Sequence, residues 1–360
     1  MASLAEPLFA AHQDGTSGLR RFCLQKRWLL LGAFCAVTFI CQHSSRRHVE
    51  GLTQMAASPQ RAPLPVIAMH GMDLGADMFD KAVAWILAAH PDTKVYPLRL
   101  LERSLSVTTP LGTQVSELTN AVRTLIANDV ATFADGYHLM CFSEGALLCR
   151  VITQLMDDHK VHTLIAVAGP QLGVYGASWF IHNKPVEAFS NIPFFGPVVN
   201  KMMDSSYVDF YELAYDSTTQ RHCAPAELWN DPFHQAQFLH DTTFLPFVNG
   251  LNEPVPQGMR DNFLRVRNAV FLAGSMAHHS GDSDFGVQPW CTGVFGYWDV
   301  NSTEVMVPME RQKVYMEDTF GLKSMHEAGK LNVTHVPGVV HSAWFTSEDV
   351  FSSNILPHLT

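Results

Sequence analysis

Ser143 stands between a predicted strand and a predicted helix, in a position that suits a catalytic nucleophile. Residues 137–142 are largely apolar, and an Ala- and Leu-rich segment follows Glu144. On a sharp turn of this kind the serine hydroxyl is exposed, and the helix behind it offers free N–H groups to an oxyanion. The usual pattern is Gly-x-Ser-x-Gly; here Gly145 is kept and the small Cys141 replaces the first glycine. Taken alone, the segment fits an ordinary Ser-Glu-Gly turn as well.

An acid and a base follow the serine in the order that such a nucleophile requires. A serine hydroxyl attacks when a base removes its proton, and a third group holds the base. Residues 331–337 read as a strand, and His341 lies in the loop after it. Residues 268–276 read as another strand, and its loop contains Asp282 and Asp284. The serine, one of these aspartates and the histidine therefore form a candidate catalytic triad in the chain order nucleophile, acid, base.

Two backbone N–H groups are candidates for an oxyanion hole. One belongs to Glu144, directly after the serine, and the other should come from the loop after an early strand. Residues 65–70 read as that strand, and a His-Gly turn follows it. Because Gly71 lets the backbone approach a substrate closely, the N–H of Met72 is the predicted second donor. A carboxylate at position 144 would oppose an oxyanion unless it points away or carries a proton.

Alternating strands and helices predict the framework that positions these groups. The predicted strands are residues 65–70, 93–98, 136–142, 163–168, 268–276 and 331–337, and the predicted helices are residues 79–89, 113–128 and 144–156. This alternation indicates a mostly parallel sheet with helices on both faces. Together with the serine turn it predicts the α/β-hydrolase fold, of the α/β class. The alternation breaks at residues 171–260, a cap-like insertion whose aromatic side chains either form its own core or line an acyl pocket.

Several separated stretches between Pro65 and Leu359 form a combination typical of one family. They are His70-Gly71-Met72, residues 141–145 with Cys149, Pro170–Gly176, Trp229-Asn230-Asp231-Pro232, Asn249-Gly250, residues 262–266, Phe295–Trp298, Phe320–Lys323 and His341–Trp344. In this combination the chain resembles the palmitoyl-protein thioesterases, and their second lysosomal form more than their first. The resemblance implies hydrolysis of long-chain fatty acyl thioesters, such as S-palmitoyl peptides or palmitoyl-CoA, through an acyl-enzyme and without a cofactor.

The resemblance also implies roles for particular residues. It favours Asp284 as the catalytic acid, because this residue stands five positions before Pro289-Trp290. It implies a disulfide between Cys141 and Cys149, which flank the serine. The residue after the serine is usually Gln in this family, whereas this chain has Glu144.

A second disulfide of that form has no obvious counterpart. Cys223 matches one of its two cysteines, but Ala214 takes the place of the partner. Cys223 is therefore either free or paired with another cysteine, for example Cys291.

The first 61 residues are predicted to be a targeting segment followed by a linker. Basic residues at 20–27 precede an apolar run at 28–41, which is the order found in a secretory signal peptide. The run is short for a membrane span, although an uncleaved signal anchor, which would associate the enzyme with a membrane, is the alternative. Residues 62–360 are then a single hydrolase domain in the secretory pathway. The resemblance implies the lysosome, with secretion or anchoring as alternatives. Asn301 and Asn332 begin N-glycosylation sequons.

Net charge and missing motifs exclude several classes of function. The chain of 360 residues has a net charge of −10, and its N-terminal 61 residues are net basic, so the remainder is more acidic still. Such a surface repels phosphates, and nucleic-acid binding is not expected. The sequence lacks Cys-x-x-Cys, His-Glu-x-x-His and Gly-x-Gly-x-x-Gly motifs, so neither a metal nor a nucleotide cofactor is predicted. A lipase or carboxylesterase and a non-catalytic lipid-binding protein remain as alternatives, and the oligomeric state is not predicted.

Overall fold

The framework of the protein is a parallel β-sheet. The structure is a computed structural model that describes residues 62–176, 211–252, 258–276, 284 and 286–360. Its strands are β1 (Val66–Met69), β2 (Val95–Pro97), β3 (Tyr137–Phe142), β4 (Val161–Val167), β5 (Asn268–Ser275), β6 (Tyr297–Trp298), β7 (Met306–Val307) and β8 (Leu331–Pro337). Six of these strands form one sheet in the order β2-β1-β3-β4-β5-β8, and all pairs in it are parallel. Strands β6 and β7 pair separately and antiparallel.

Helices connect the strands of the large sheet. In the described part of the chain they are α1 (Asp80–Ala89), α2 (Ser104–Thr108), α3 (Leu111–Asn128), α4 (Glu144–Leu155), α5 (Tyr211–Ala214), α6 (Ser217–His222), α7 (Ala224–Leu228), α8 (Gln235–Asp241), α9 (Leu245–Val248), α10 (Met259–Leu264), α11 (Lys313–Met316), α12 (Leu322–Glu327) and α13 (Glu348–Asn354). Short 3₁₀ turns lie at Ala76–Phe79, Trp290–Val294, Met309–Arg311, His341–Phe345 and Leu356–His358.

Both faces of the sheet are buried, which explains why its strands are continuous apolar runs. In β3, Leu139 and Cys141 belong to the core that contains residues of α3 and α4. Met140 and Phe142 belong to the core that contains residues of α1 and α13. Successive side chains of a strand point to opposite faces, so a strand that is covered on both sides is apolar at most of its positions.

The predicted fold class is confirmed: the chain has the α/β-hydrolase fold. Each strand and helix predicted from the alternation is present, with ends shifted by a few residues. The helix predicted to begin at 113 begins at Leu111, directly after Pro110, whose lack of an N–H costs nothing at a helix start. His341, expected in a loop, is the first residue of a 3₁₀ turn.

The insertion at residues 171–260 is built from short helices where the structure describes it, α5 to α9 and the start of α10. Trp229, Phe238 and Phe244 are buried, whereas Phe233 and Phe247 are exposed. Most of its described aromatic side chains thus belong to a core. Residues 177–210, with several of the other aromatic residues, lie outside the described residues, as do the targeting segment and linker. None of the helices in the described ranges is long and apolar enough to cross a membrane.

Candidate active site

Ser143 occupies the turn between β3 and α4. Its φ of 55° and ψ of −127° lie in a region that residues with a side chain rarely adopt. Such a conformation costs about 1–3 kcal/mol and persists where the surroundings enforce it. The N–H of Ser143 donates a 2.8 Å hydrogen bond to the carbonyl of Val167 in β4, which holds the turn against the neighbouring strand.

Two glycines allow the end of β1 to pack against this turn. A Cβ at Gly71 would lie 2.6 Å from the Cβ of Ser143. A Cβ at Gly145 would clash with the carbonyl oxygen of His70 and lie 2.7 Å from that of Met69. The retained glycine of the serine motif is therefore explained by close backbone packing, which brings the β1 turn beside the serine.

A disulfide joins Cys141, near the end of β3, to Cys149 in the second turn of α4. The two Cα atoms are 6.4 Å apart, and both side chains are fully buried. The bond brackets the serine and ties the strand to the helix on either side of it. Cys223 and Cys291 are both free and buried, so the structure does not pair them with each other.

Ser143, His341 and Asp284 form a chain of hydrogen bonds. The Nε2 atom of His341 is 3.0 Å from the Oγ of Ser143, and its Nδ1 is 2.9 Å from the Oδ2 of Asp284. The other carboxylate oxygen of Asp284 accepts hydrogen bonds from the N–H groups of Gly286 (2.9 Å) and Val287 (2.7 Å). Asp284 is therefore anchored by the backbone, while its second oxygen remains for the histidine.

The imidazole of His341 is fixed by packing as well as by hydrogen bonds. The ring of Phe142 lies 4.6 Å from it, centroid to centroid. On another side a Cβ at Gly286 would overlap the imidazole atoms, so a hydrogen atom is all that fits there. The N–H of His341 also donates a 2.7 Å hydrogen bond to the carbonyl of Asp284. Of the two candidate aspartates, the structure brings Asp284 to the histidine; Asp282 lies outside the described residues.

A mainly apolar cavity of about 540 Å³, measured out to open solvent, adjoins the serine. Its lining residues are Met72, Ser143, Glu144, Pro170, Val174, Gly176, Pro225, Leu228, Trp229, Gly286, Val287 and Gln288. Within the described ranges, the N–H groups of Met72 and Glu144 have no hydrogen-bond acceptor. Both candidate oxyanion donors therefore border the space next to the serine hydroxyl. No cluster of three or more metal-ligating side chains occurs in that same part of the chain.

The side chain of Glu144 is 2% exposed, and burial raises its pKa well above the ordinary value for a glutamic acid. The nearby charge of Glu227 raises this pKa further. Burial also raises the pKa of Glu227 to about 7. The sequence marked Glu144 as unusual, but it gave no sign of Glu227, which lies 83 positions away in a helix of the insertion.

Comparison with known proteins decides the family. The family model for palmitoyl protein thioesterases matches residues 65–341. The chain belongs to the palmitoyl-protein thioesterase family. It is 31% identical over 299 residues to the lysosomal thioesterase PPT2-B of Xenopus laevis, covering 82% of this chain and 92% of that protein. It is 31% identical over 308 residues to the human lysosomal thioesterase PPT2, covering 85% and 91% of the two chains.

Solved structures with similar backbones are hydrolases of low sequence identity. A lipase of Bacillus licheniformis, BlEst2, is 14% identical with a TM-score of 0.43, and the match covers 84% of this chain and 95% of the lipase. The phospholipase PlaB of Legionella pneumophila is 12% identical with a TM-score of 0.44, and the match covers 83% of this chain and 59% of the phospholipase.

Membership of the palmitoyl-protein thioesterases confirms the family and the enzyme class inferred from the sequence. The protein is a hydrolase of acyl thioesters with an α/β-hydrolase fold. Both predicted glycosylation sites are exposed, and the Thr334 hydroxyl donates a 2.8 Å hydrogen bond to the side-chain oxygen of Asn332. Asn301 lies at a turn with a φ of 58°.

Proposed function

We propose that this enzyme is a lysosomal acyl-thioesterase that hydrolyses long-chain fatty acyl thioesters through an acyl-enzyme on Ser143. His341 is the general base, and Asp284 orients it. The backbone N–H groups of Met72 and Glu144 form the oxyanion hole. The observation that carries the proposal is the hydrogen-bonded chain of serine, histidine and aspartate beside an apolar cavity.

The mechanism follows from the positions of these atoms. The Oγ of Ser143 attacks the thioester carbonyl while Nε2 of His341 takes its proton. Asp284 accepts the hydrogen bond from Nδ1 and stabilises the imidazolium cation that results. Two N–H groups meet the oxyanion, and one such donor is typically worth about 3–4 kcal/mol in the transition state. The thiolate leaves and takes the proton from the histidine, after which a water molecule, activated by the same base, hydrolyses the acyl-enzyme.

The family and the cavity together support a fatty thioester as substrate. A thiol with a pKa of about 8.5 leaves more easily than an alkoxide, so little acid assistance is needed. Val174, Leu228 and Trp229 give the cavity an apolar wall on which an acyl chain can be buried.

The lysosomal location is supported by several features outside the catalytic residues. Two relatives that match this chain over most of both lengths are named lysosomal thioesterases. A disulfide and exposed sequons suit a chain that folds in an oxidising lumen. A signal peptide or signal anchor within residues 1–61 would bring the hydrolase domain of residues 62–360 there.

The proposal is tested with the full chain purified from a secreting host, beside Ser143→Ala. Palmitoyl-CoA, an S-palmitoyl peptide and a matched O-palmitoyl serine peptide are assayed from acidic to neutral pH. We expect the wild type to hydrolyse a thioester faster than the oxygen ester, and the variant to hydrolyse neither. A preference for the oxygen ester would instead support a lipase or carboxylesterase. Activity that survives in the variant would remove Ser143 from the mechanism.

A further inference from the structure

Glu144 is a buried acid beside a site that must stabilise negative charge. Its backbone N–H is a proposed donor to the oxyanion, and the residue lines the same cavity. Within the described residues its Oε2 atom is buried and has no hydrogen-bond partner. An ionised carboxylate in such a place would be poorly solvated and would oppose the oxyanion.

The hydrogen bonds of Gln114 in α3 bear on whether the carboxyl group of Glu144 carries a proton. The side chain of Gln114 neighbours the carboxyl group of Glu144, and a hydrogen bond donated by its amide would lower the pKa of that acid. Both hydrogens of its amide are already used, because Nε2 donates to the carbonyls of Ser106 (2.7 Å) and Thr109 (2.9 Å). These two carbonyls fix the orientation of the amide, since a flipped amide would place its oxygen against them.

With both amide hydrogens used, the Gln114 side chain can only accept a further hydrogen bond. Its Oε1 is buried and without a partner, as is the Oε2 of Glu144. Leaving both of these neighbouring oxygens without a hydrogen is unfavourable, because a buried polar atom without a partner costs free energy. A protonated carboxyl supplies that hydrogen, and a single O–H···O bond then satisfies both atoms.

Glu227 of α7 is placed to hold the negative charge of this pair of acids. Its Oε2 accepts a 2.6 Å hydrogen bond from the N–H of Leu111, the first residue of the long helix α3. Its Oε1 accepts a 2.9 Å bond from the hydroxyl of Thr243. Both donors favour the ionised form of Glu227. Glu144 also lies at a helix N-terminus, but its Oε2 has no hydrogen-bond donor within the described residues. Of the two acids, Glu227, with a pKa of about 7, therefore ionises first, and Glu144 keeps its proton to a higher pH.

In the described part of the chain, no cation lies close enough to Glu144 to favour its ionised form. Arg150, on the same helix, points to Gln171 and the ring of Phe320. Cys223, beside α7, has a pKa that burial raises. Within the described residues, the titratable groups whose charges interact with Glu144 are Glu227 and Cys223.

We propose that Glu144 is a positioning residue that works as a neutral acid, with its carboxyl O–H donated to Oε1 of Gln114. The uncharged side chain keeps negative charge away from the oxyanion that its own N–H binds. This inference rests on the serine mechanism proposed above. Activity then falls as the pH rises through the pKa of Glu144, because the carboxylate that forms lies beside the oxyanion.

The first test compares pH profiles of kcat/KM for wild type, Glu144→Gln and Glu227→Gln. A glutamine at 144 mimics the neutral acid, because its Nε2 can donate to Oε1 of Gln114 at every pH. We expect the ratio of kcat/KM at alkaline to near-neutral pH to be at least about tenfold higher in Glu144→Gln than in wild type. Glu227→Gln should keep the basic limb but move it to lower pH, since the charge that opposes ionisation is gone. An unchanged basic limb in Glu144→Gln overturns the proposal.

The second test does not depend on turnover. Infrared spectra are recorded at a pH above the pKa of Glu227, where Glu227 is ionised, and before the basic limb of the wild-type profile begins. They should show the C=O band of a protonated carboxyl group in wild type and in the inactive Ser143→Ala. The band should be absent from Glu144→Gln. A band that persists in Glu144→Gln, or that wild type lacks, overturns the proposal. If the enzyme hydrolyses none of the thioesters while the band behaves as expected, it is the proposed substrate class that fails and not the neutral acid.

Discussion

The turn around Ser143 and the insertion at residues 171–260 contribute to one cavity but are built in opposite ways. The turn joins a fully buried strand to a 12-residue helix, and a disulfide crosses it. The described part of the insertion is a series of helices of four to seven residues. The chemistry therefore comes from a rigid framework, whereas part of the wall of the cavity, and the neighbouring acid Glu227, come from the insertion. Reactivity and selectivity should consequently respond to different mutations.

Two Asp–His pairs, one beside the catalytic serine and one in the insertion, test this separation of reactivity from selectivity most sharply. Asp284→Asn should lower kcat by about 10⁴-fold, because the amide can favour the wrong tautomer of His341. Asp231, in the insertion, contacts His234 at 2.7 Å and accepts a 2.8 Å bond from the N–H of Phe233. Asp231→Asn should cost about 1–3 kcal/mol of folding free energy and change kcat by less than about threefold. Steady-state kinetics and urea unfolding measure both; similar losses of kcat in the two variants would contradict the separation.

The disulfide tests the rigidity of the framework. Replacing Cys141 and Cys149 together by alanine should lower the free energy of unfolding by about 2–4 kcal/mol. Because the bond brackets the serine, kcat should fall as well. The matched control is Cys291→Ala, which removes a buried thiol that forms no disulfide. It should leave kcat near the wild-type value. Denaturant titrations and kinetics at one pH report both effects, and a double variant as stable as wild type would show that packing alone holds the turn.

His138 tests how the stability of the framework depends on pH. Both ring nitrogens lack hydrogen-bond partners within the described residues, and burial, with the neighbouring His162, lowers its pKa to about 4. Between pH 6.5 and 4 the unfolded chain binds more protons than the folded one, so stability is lost as the pH falls. The loss approaches about 3 kcal/mol at the acidic end. His138→Leu should unfold with a smaller pH dependence over this range; an equal dependence would assign the acid sensitivity to other groups.

Leu228 tests the contribution of the insertion to selectivity. Its side chain is 5% exposed and lines the cavity. Leu228→Ala should reduce the preference for palmitoyl-CoA over butyryl-CoA by about tenfold, which corresponds to the lost burial of roughly two methylene groups. Leu239→Ala, at an exposed position of the same insertion, should leave the ratio of kcat/KM values unchanged. A loss of activity that is equal for both chain lengths would place Leu228 outside the acyl site.

The sequence revealed the framework because its signals are local. Strands such as β3 and β5 are largely apolar runs, and candidate chemical groups lie in the segments that follow them: Ser143 comes directly after β3, and Asp284 lies in the segment after β5. Helices of four to seven residues are too short to show a helical period, so those of the insertion were not foreseen. The contact of Glu227 with Leu111 joins residues 116 positions apart, and no motif announces it.

Gly286 gives the active site a genetic vulnerability. It lies two positions after Asp284, and its missing side chain leaves the space that the imidazole of His341 occupies. Every missense allele at this codon introduces at least a methyl group and displaces the base from the serine. Loss-of-function alleles should therefore accumulate at this codon as they do at the codons of the reacting residues, although it encodes no reactive group.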